Sequence, residues 1–150
     1  MRGEEGFTLI EIVCALAILA IVAALALTAY PRGTTPQRLS GYALEIAAIL
    51  KSDRNAAVRE GAPVSTSFDG RQRSVRSGAS GARVDLPDDV GFDALLAQRC
   101  GERRTGSTID FFPSGASCGG VVAISRGDVG YEIRVNWLTG GVEVVATGKS

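Results

Sequence analysis

One carboxylate lies inside the longest apolar stretch of this sequence. Glu11 is the only charged residue between Phe7 and Tyr30. A carboxylate at the centre of a membrane helix costs roughly 2.5–3.5 kcal/mol, and less near the helix end, so an acid in such a run indicates a function. The chemistry open to it is ion pairing, because a partner of opposite charge offsets the cost of burying either group alone.

Catalytic chemistry finds little support elsewhere in the chain. The sequence has no histidine, which removes histidine bases, triads and metal ligands. Ser114, Ser117 and Asp110 do not make a nucleophilic triad, because no base of suitable pKa accompanies them. The glycine-rich segment 114–120 lacks the Gly-Lys-Ser/Thr ending and following helix of a phosphate loop, so a hairpin turn is favoured there. We expect a protein without enzymatic activity or cofactor.

Charged clusters offer two further candidate sites. The arginines that could form a basic patch for DNA are Arg71, Arg73, Arg76, Arg83, Arg99, Arg103 and Arg104. The favoured interpretation is a solvated loop, because Asp85, Asp88, Asp89 and Asp93 lie close behind and weaken the positive field. The chain has 16 basic and 16 acidic residues, so its net charge indicates neither nucleic acid nor an acidic partner. Asp88, Asp89 and Asp93 could supply oxygen ligands to calcium, but they lack a regular ligand spacing, and we expect no metal site.

The apolar stretch that contains Glu11 has the length of a membrane span. Residues 12–30 carry no charge and would reach about 28 Å as a helix, close to the hydrocarbon thickness of a bilayer. A signal peptide would have a more positive start and a shorter apolar core, so a retained membrane helix is favoured. Arg2 precedes the run while Arg32 and Arg38 follow it, so the Lys/Arg count alone would place the domain side in the cytoplasm.

A second, amphipathic helix is predicted over residues 37–60. Its apolar residues recur at three- and four-residue steps, with charged residues mostly on the other face. The apolar set is Leu39, Tyr42, Ala43, Ile46, Ile49, Leu50 and Ala57, and the charged set is Arg38, Glu45, Lys51, Asp53 and Arg59. Gly61 and Pro63 supply the stop signal. We expect the apolar stripe to pack under a sheet.

Beyond Pro63 the apolar residues alternate and turn residues multiply. Strands are predicted at 64–68, 73–76, 83–86, 108–112, 121–125, 131–137 and 142–146. Asp69-Gly70, 113–115, Gly127-Asp128 and 139–141 have the composition of turns. A helix followed by such strands predicts an α+β fold with largely antiparallel pairing.

The start of the chain resembles the class III leader of type IV pilins and type II secretion pseudopilins. Residues 6–11 read Gly-Phe-Thr-Leu-Ile-Glu, and the apolar run follows directly. The resemblance implies cleavage between Gly6 and Phe7 by a prepilin peptidase, N-methylation of Phe7 and a leader that faces the cytoplasm. It also implies an assembly role for Glu11, whose carboxylate would pair with the new Phe7 amine of a neighbouring subunit.

The rest of the chain resembles H-type minor pseudopilins and their pilus counterpart. The similar segments are 54–64, 111–115 with Gly119-Gly120, and 131–140. The resemblance implies a type IV pilin-like fold, in which a long N-terminal transmembrane and amphipathic helix packs on a largely antiparallel β-domain. It divides the chain into a cleaved leader (1–6), a transmembrane helix (7–30), a linker with the amphipathic helix (31–62) and a periplasmic β-rich domain (63–150).

For function, the resemblance implies a minor pseudopilin near the tip of the type II secretion pseudopilus that supports export of folded proteins across the outer membrane. The expected location is the bacterial inner membrane, crossed once, with the C-terminal domain in the periplasm. Expected partners are other major and minor pseudopilins, the prepilin peptidase and the inner-membrane assembly platform, with secreted cargo as a further candidate. The alternative is a minor pilin of a type IV or DNA-uptake pilus that binds DNA.

Two of the cysteines could form a disulfide in the expected periplasmic domain. Cys100 and Cys118 fall in the part expected to be exported, where disulfides persist. A bond between them would stabilise the domain by roughly 3 kcal/mol through loop closure. That disulfide is the favoured interpretation and two free thiols are the alternative, because proximity cannot be read from sequence. Cys14 falls in the membrane stretch, where we expect a small apolar filler.

Overall fold

A computed structural model describes residues 8–28 and 33–148. The chain divides into two compact units, Met1–Gly33 and Thr34–Ser150. In the first unit, helix α1 spans Leu9–Thr28. Its segment Leu9–Ala26 is long and apolar enough to cross a membrane. Residues 7, 29 and 30 of the span predicted at 7–30 lie outside the described residues.

Helix α2 spans Pro36–Glu60 and opens the second unit. Thr35 caps its start, because the Thr35 Oγ1 accepts a hydrogen bond from the Arg38 N–H at 3.3 Å. Pro36 occupies the first turn, where its missing N–H costs nothing. Gly61 ends the helix with φ of 63°, a left-handed conformation that glycine adopts without strain. The helix predicted over 37–60 is therefore confirmed.

The strands of the second unit follow α2 in the chain. They are β1 (Val64–Asp69), β2 (Ser74–Arg76), β3 (Arg83–Asp85), β4 (Gly91–Leu96), β5 (Arg99–Cys100), β6 (Arg103–Arg104), β7 (Thr108–Phe111), β8 (Gly120–Arg126), β9 (Val129–Val135) and β10 (Val142–Ala146). The first sheet has the order β3-β2-β1-β7, the second has the order β10-β9-β8-β4, and β5 pairs with β6 alone. Each of these pairings is antiparallel, which confirms the predicted α+β class.

One core lies between α2 and the two sheets. Its fully buried side chains include Leu39, Ile46, Leu50, Val75, Ile109, Phe111, Val122, Ile124 and Ile133. These residues come from α2, from β2 and β7 of the first sheet, and from β8 and β9 of the second. The stripe predicted on α2 therefore packs as expected, because its three- and four-residue spacing aligns apolar side chains on one helix face.

The sequence prediction missed three strands. β4 pairs along its whole length with β8, from Gly91 opposite Ser125 to Leu96 opposite Gly120. Its residues Gly-Phe-Asp-Ala-Leu-Leu include poor strand formers. β5 and β6 are each two residues long, too short for a periodic signal. Pairing with a neighbour, rather than local propensity, forms all three strands.

Candidate functional site

Glu11 lies in the first turn of α1, and its side chain is exposed. The backbone N–H groups of Glu11 and Ile12 both donate to the Thr8 carbonyl, at 3.0 and 3.3 Å, so the helical turn begins at Thr8. A carboxylate here is favourable because it lies at the positive end of the helix dipole. Among the described residues, no hydrogen bond or ion pair engages this carboxylate.

The other residues predicted for processing lie outside the described part of the chain. Gly6 and Phe7 precede residue 8, so cleavage between them and methylation of Phe7 stay predictions. The same holds for the leader predicted at 1–6.

The structure joins Cys100 to Cys118 through a disulfide, with the two Cα atoms 5.5 Å apart. An isolated bridge pairs Phe111 with Ser117, and the Cys118 N–H donates to the Asp110 carbonyl at 3.0 Å. This pairing holds Cys118 beside the end of β7, where Cys100 of β5 reaches it. The bond therefore ties the β5–β6 hairpin to the main body of the domain. Cys14 is a free, exposed cysteine of α1.

A polar cluster that the sequence prediction missed lies where the chain enters the second unit. We call Thr34, Asp89 and Arg126 the junction clamp. The Thr34 N–H and hydroxyl donate to the two carboxylate oxygens of Asp89, at 2.7 and 2.8 Å. Arg126 pairs with Asp89 at 2.8 Å and donates to the Thr34 carbonyl at 2.6 Å. Thr34 is thereby held by its backbone N–H, its carbonyl and its side chain.

The clamp also sets the protonation of Asp89. The Thr34 backbone N–H and then the Thr34 hydroxyl hold the pKa of the Asp89 carboxyl below its ordinary value. Arg126 adds to this lowering, while desolvation opposes it. The sequence suggested Asp89 only as a carboxylate that weakens a basic patch and as an unsupported calcium ligand. Thr34 lies 55 residues before Asp89 and 92 residues before Arg126. Local sequence motifs do not span such separations, so no sequence signal indicated the clamp.

Asp53 corrects the predicted helix faces. The amphipathic pattern placed it with the charged residues, yet its side chain is fully buried, with 0% exposure. Its carboxylate accepts hydrogen bonds from the Thr66 hydroxyl at 2.6 Å, the Ser77 hydroxyl, and the N–H groups of Gly78 and Ala79 at 3.0 and 3.2 Å. A buried charge survives where hydrogen bonds replace water, so Asp53 anchors β1 and the loop after β2 to α2.

Arg54 holds two turns against α2 through hydrogen bonds. Its Nε donates to the Gly115 carbonyl at 3.1 Å and to the Thr139 carbonyl at 3.0 Å. Gly115 belongs to the central hairpin, in which the Phe112 N–H bonds to the Ala116 carbonyl at 2.9 Å. The turn predicted at 114–120, in place of a phosphate loop, agrees with this geometry.

The arginines considered for DNA binding fall into two groups. Arg73 pairs with Asp88 at 3.2 Å, and Arg83 pairs with Asp85 at 2.6 Å. The carboxylates that the sequence suggested would weaken a positive patch thus engage half of the first group. Arg99, Arg103 and Arg104 lie apart, on the β5–β6 hairpin.

The two serines considered for catalysis have structural contacts, whereas the Asp110 Oδ1 is buried with no hydrogen-bond partner among the described residues. The Ser117 hydroxyl donates to the Asn136 carbonyl at 3.1 Å and accepts from the Gly119 N–H at 3.0 Å. The Ser114 hydroxyl accepts from the Ala116 N–H at 3.4 Å. Within residues 8–28 and 33–148, no three His, Cys, Asp or Glu side chains are grouped as metal ligands.

The fold and the N-terminal motif identify the class of protein to which this chain belongs. Residues 1–27 match the family model described as the prokaryotic N-terminal methylation motif. The structure resembles the minor pseudopilin EpsH from the type 2 secretion system of Vibrio cholerae, with a TM-score of 0.58 and 13% identity, over 74% of this chain and 98% of that one. It also resembles the type IV minor pilin FimU of Pseudomonas aeruginosa, with a TM-score of 0.55 and 17% identity, over 73% and 89% of the two chains. The chain has the type IV pilin-like fold.

Sequence similarity then distinguishes secretion from pilus relatives. The chain is 31% identical over 141 residues to the type II secretion system protein H of Xanthomonas campestris pv. campestris, covering 94% of this chain and 83% of that protein. The chain belongs to the family of type II secretion system protein H.

Proposed function

We propose that this chain is a minor subunit of the type II secretion pseudopilus, assembled near its tip, which supports export of folded proteins across the outer membrane. The observation that carries the proposal is its similarity to a type II secretion protein H over nearly the whole chain. The N-terminal methylation motif over residues 1–27 supports the same function. The proposed function is structural and needs no catalytic group.

The N-terminal unit would anchor and register the subunit. A prepilin peptidase would cleave between Gly6 and Phe7, and the mature Phe7 amine would be methylated. α1 would cross the inner membrane once, with the domain in the periplasm. The Cys100–Cys118 disulfide supports that orientation, because the periplasm is an oxidising compartment. Glu11 would pair with the Phe7 amine of a neighbouring pseudopilin.

The second unit is built to present a fixed surface to partners. The junction clamp holds the chain entry to Asp89 and to Arg126 of β8. The Asp53 network and Arg54 hold β1, the loop after β2 and two turns to α2. Proposed partners are the other major and minor pseudopilins, the assembly platform and the exported cargo.

Replacing Glu11 tests the proposal. Glu11→Gln keeps the shape and removes the charge, and Glu11→Leu removes both. Breaking one side of a buried ion pair costs about 3–5 kcal/mol, so we expect incorporation into filaments to fall at least about tenfold, with membrane insertion unchanged. The assay is immunoblotting of sheared filaments and of membranes from a strain that lacks the native gene.

Two variants control this experiment. Glu60→Gln removes an exposed carboxylate at the end of α2 and should incorporate normally. Gly6→Leu should accumulate as a slower-migrating precursor, which marks the uncleaved form. Normal incorporation of both Glu11 variants would refute the assembly role, and an unaltered Gly6→Leu band would refute the leader assignment.

DNA binding is not proposed, because Arg73 and Arg83 already pair with carboxylates. Steeply salt-dependent binding of duplex DNA by the second unit would reopen that alternative.

A further inference from the structure

A cleft opens on the outer face of the second sheet, at the end where β4 and β9 finish and β8 begins. Its volume is about 650 Å³. Its lining includes Leu95 and Ala97 at the β4 side, Gly119 before β8, Trp137 after β9 and Gly141 before β10. Gly119 has φ of 70°, and a Cβ there would meet the Trp137 Cβ at 3.1 Å. A larger residue at that position would therefore crowd the cleft.

The cleft exposes large apolar side chains to solvent. Leu95 is 76% exposed and Trp137 is 66% exposed, and Leu138 beside Trp137 is 64% exposed. Single exposed apolar residues are ordinary, but Leu95 and Trp137 line the same concavity, which indicates an interaction site. Tryptophan is among the residues most enriched where interfaces gain their binding energy.

A hairpin of unpaired arginines joins the wall of this cleft. We call residues 97–106 the arginine hairpin, since β5 and β6 carry Arg99, Arg103 and Arg104. Arg99 stands directly opposite Arg104 in the ladder, and like charges placed so are destabilising. Within the described residues, none of the three arginines has a hydrogen-bonded or ion-paired carboxylate. An acidic partner would relieve this repulsion.

The hairpin is attached to the cleft at two points. Ala97 lines the cleft, and its carbonyl accepts the Gly106 N–H at 3.1 Å across the hairpin base. Cys118 also lines the cleft and is bonded to Cys100 of the hairpin. Arg99 lies two residues from Ala97, so its backbone is within about 7 Å of the cleft wall.

The two sides of the cleft differ in charge. Cross-strand neighbours place Leu95, Val121, Arg134 and Glu143 in one row over the four strands of the second sheet. Arg134 is already paired with Glu132 at 2.7 Å, whereas Glu143 has no cationic partner in the described residues. The hairpin side of the cleft is therefore basic and the β10 side is acidic. A polyanion such as nucleic acid would meet Glu143, whereas a short acidic segment of protein would avoid it.

We propose that the cleft and the arginine hairpin together form a docking surface for a segment of a different protein chain. The segment inserts an apolar or aromatic side chain between Leu95 and Trp137. It also carries at least two carboxylates within four residues, which pair with Arg99, Arg103 and Arg104. The disulfide holds the basic half of the surface against the apolar half.

Photocrosslinking of the full chain in its native host tests this surface. Leu95 is replaced by p-benzoylphenylalanine, and the crosslinked peptide is identified by mass spectrometry. Asp128, in the exposed turn at the opposite end of the same sheet, is the control position. We expect crosslinking at Leu95 to a different protein, at a segment with two or more Asp or Glu residues within four positions of the crosslink. A crosslink to nucleic acid, to a second copy of this chain or to a non-acidic segment, or no crosslink, overturns the proposal.

Charge reversal tests the arginine hairpin separately. The triple variant Arg99→Glu, Arg103→Glu, Arg104→Glu should reduce the Leu95 crosslink at least tenfold. The matched variant Arg71→Glu, Arg76→Glu reverses exposed arginines of the β1–β2 turn and of β2 and should leave the crosslink unchanged. Trp137 is the only tryptophan, so its emission spectrum reports whether the cleft stays intact in the triple variant. An undiminished crosslink in the triple variant, or an equal loss in both variants, overturns the role of the hairpin.

Discussion

The buried carboxylate of Asp53 should account for a large share of the stability of the second unit. Replacing it with alanine removes the acceptor of four hydrogen bonds. Thr66 and Ser77 are themselves buried, so their hydroxyls would lose their acceptor and could not bond to water instead. The N–H groups of Gly78 and Ala79 belong to exposed residues and can turn to water.

The magnitude follows from the two buried hydroxyls. An unsatisfied buried donor costs about 1–3 kcal/mol, so Asp53→Ala should lose about 4 kcal/mol of unfolding free energy. Domains of this kind have about 5–15 kcal/mol in total, so the loss is a large fraction. Asp53→Asn keeps one acceptor oxygen, but its NH₂ group would face the hydroxyl and N–H donors that now bind the second oxygen. This variant should therefore lose about half as much unfolding free energy as Asp53→Ala.

Urea unfolding of residues 34–150 measures this loss, because that unit contains the whole core. With a denaturant dependence of about 1.5 kcal/mol per molar, Asp53→Ala should lower the midpoint by about 2.5 M. Glu45→Ala is the matched control, since Glu45 is an exposed acid of the same helix and should shift stability by no more than about 0.5 kcal/mol. A loss below about 1 kcal/mol for Asp53→Ala, or one equal to that of Glu45→Ala, would show that the Asp53 carboxylate does not stabilise the unit through these hydrogen bonds.

Two further predictions concern the junction clamp and the disulfide. Because the folded pKa of Asp89 is lowered, its stabilisation should be complete above the unfolded value of about 3.9 and disappear as the pH falls through the folded pKa. Urea titrations between pH 2.5 and 6 should therefore show a gap between wild type and Asp89→Asn that closes toward acid, and a pH-independent gap would contradict the clamp. The double variant Cys100→Ser, Cys118→Ser should lose about 3 kcal/mol and lower the urea midpoint by about 2 M. An unchanged midpoint would show that the bond adds no stability.

Much of the fold could be predicted from the sequence, because its signals are local. The bounds of α2 follow from Thr35, Pro36 and Gly61, whose capping preferences act within one helical turn. The strands with alternating apolar residues were predicted to within a few positions, as at β1 and β10. β4 escaped prediction, because its pairing with β8 overrides a weak local preference.

The candidate sites divide in the same way. Glu11 could be recognised from sequence, because a lone charge in an apolar helix is anomalous wherever the chain folds. The arginines of the hairpin were noted as a group, but their separation from the first sheet and their place beside Trp137 needed the structure.

The sequence alone determined the membrane-length helix, the position of Glu11, the amphipathic α2 and the antiparallel β character. Periodicity, capping and composition act over a few residues, so they can be read directly. The burial of Asp53, the contact of Thr34 with Arg126 and the bond between Cys100 and Cys118 depend on the folded structure. These contacts join positions 13 to 92 residues apart. Local sequence patterns do not predict such contacts, because the groups meet only when α2 packs on the two sheets.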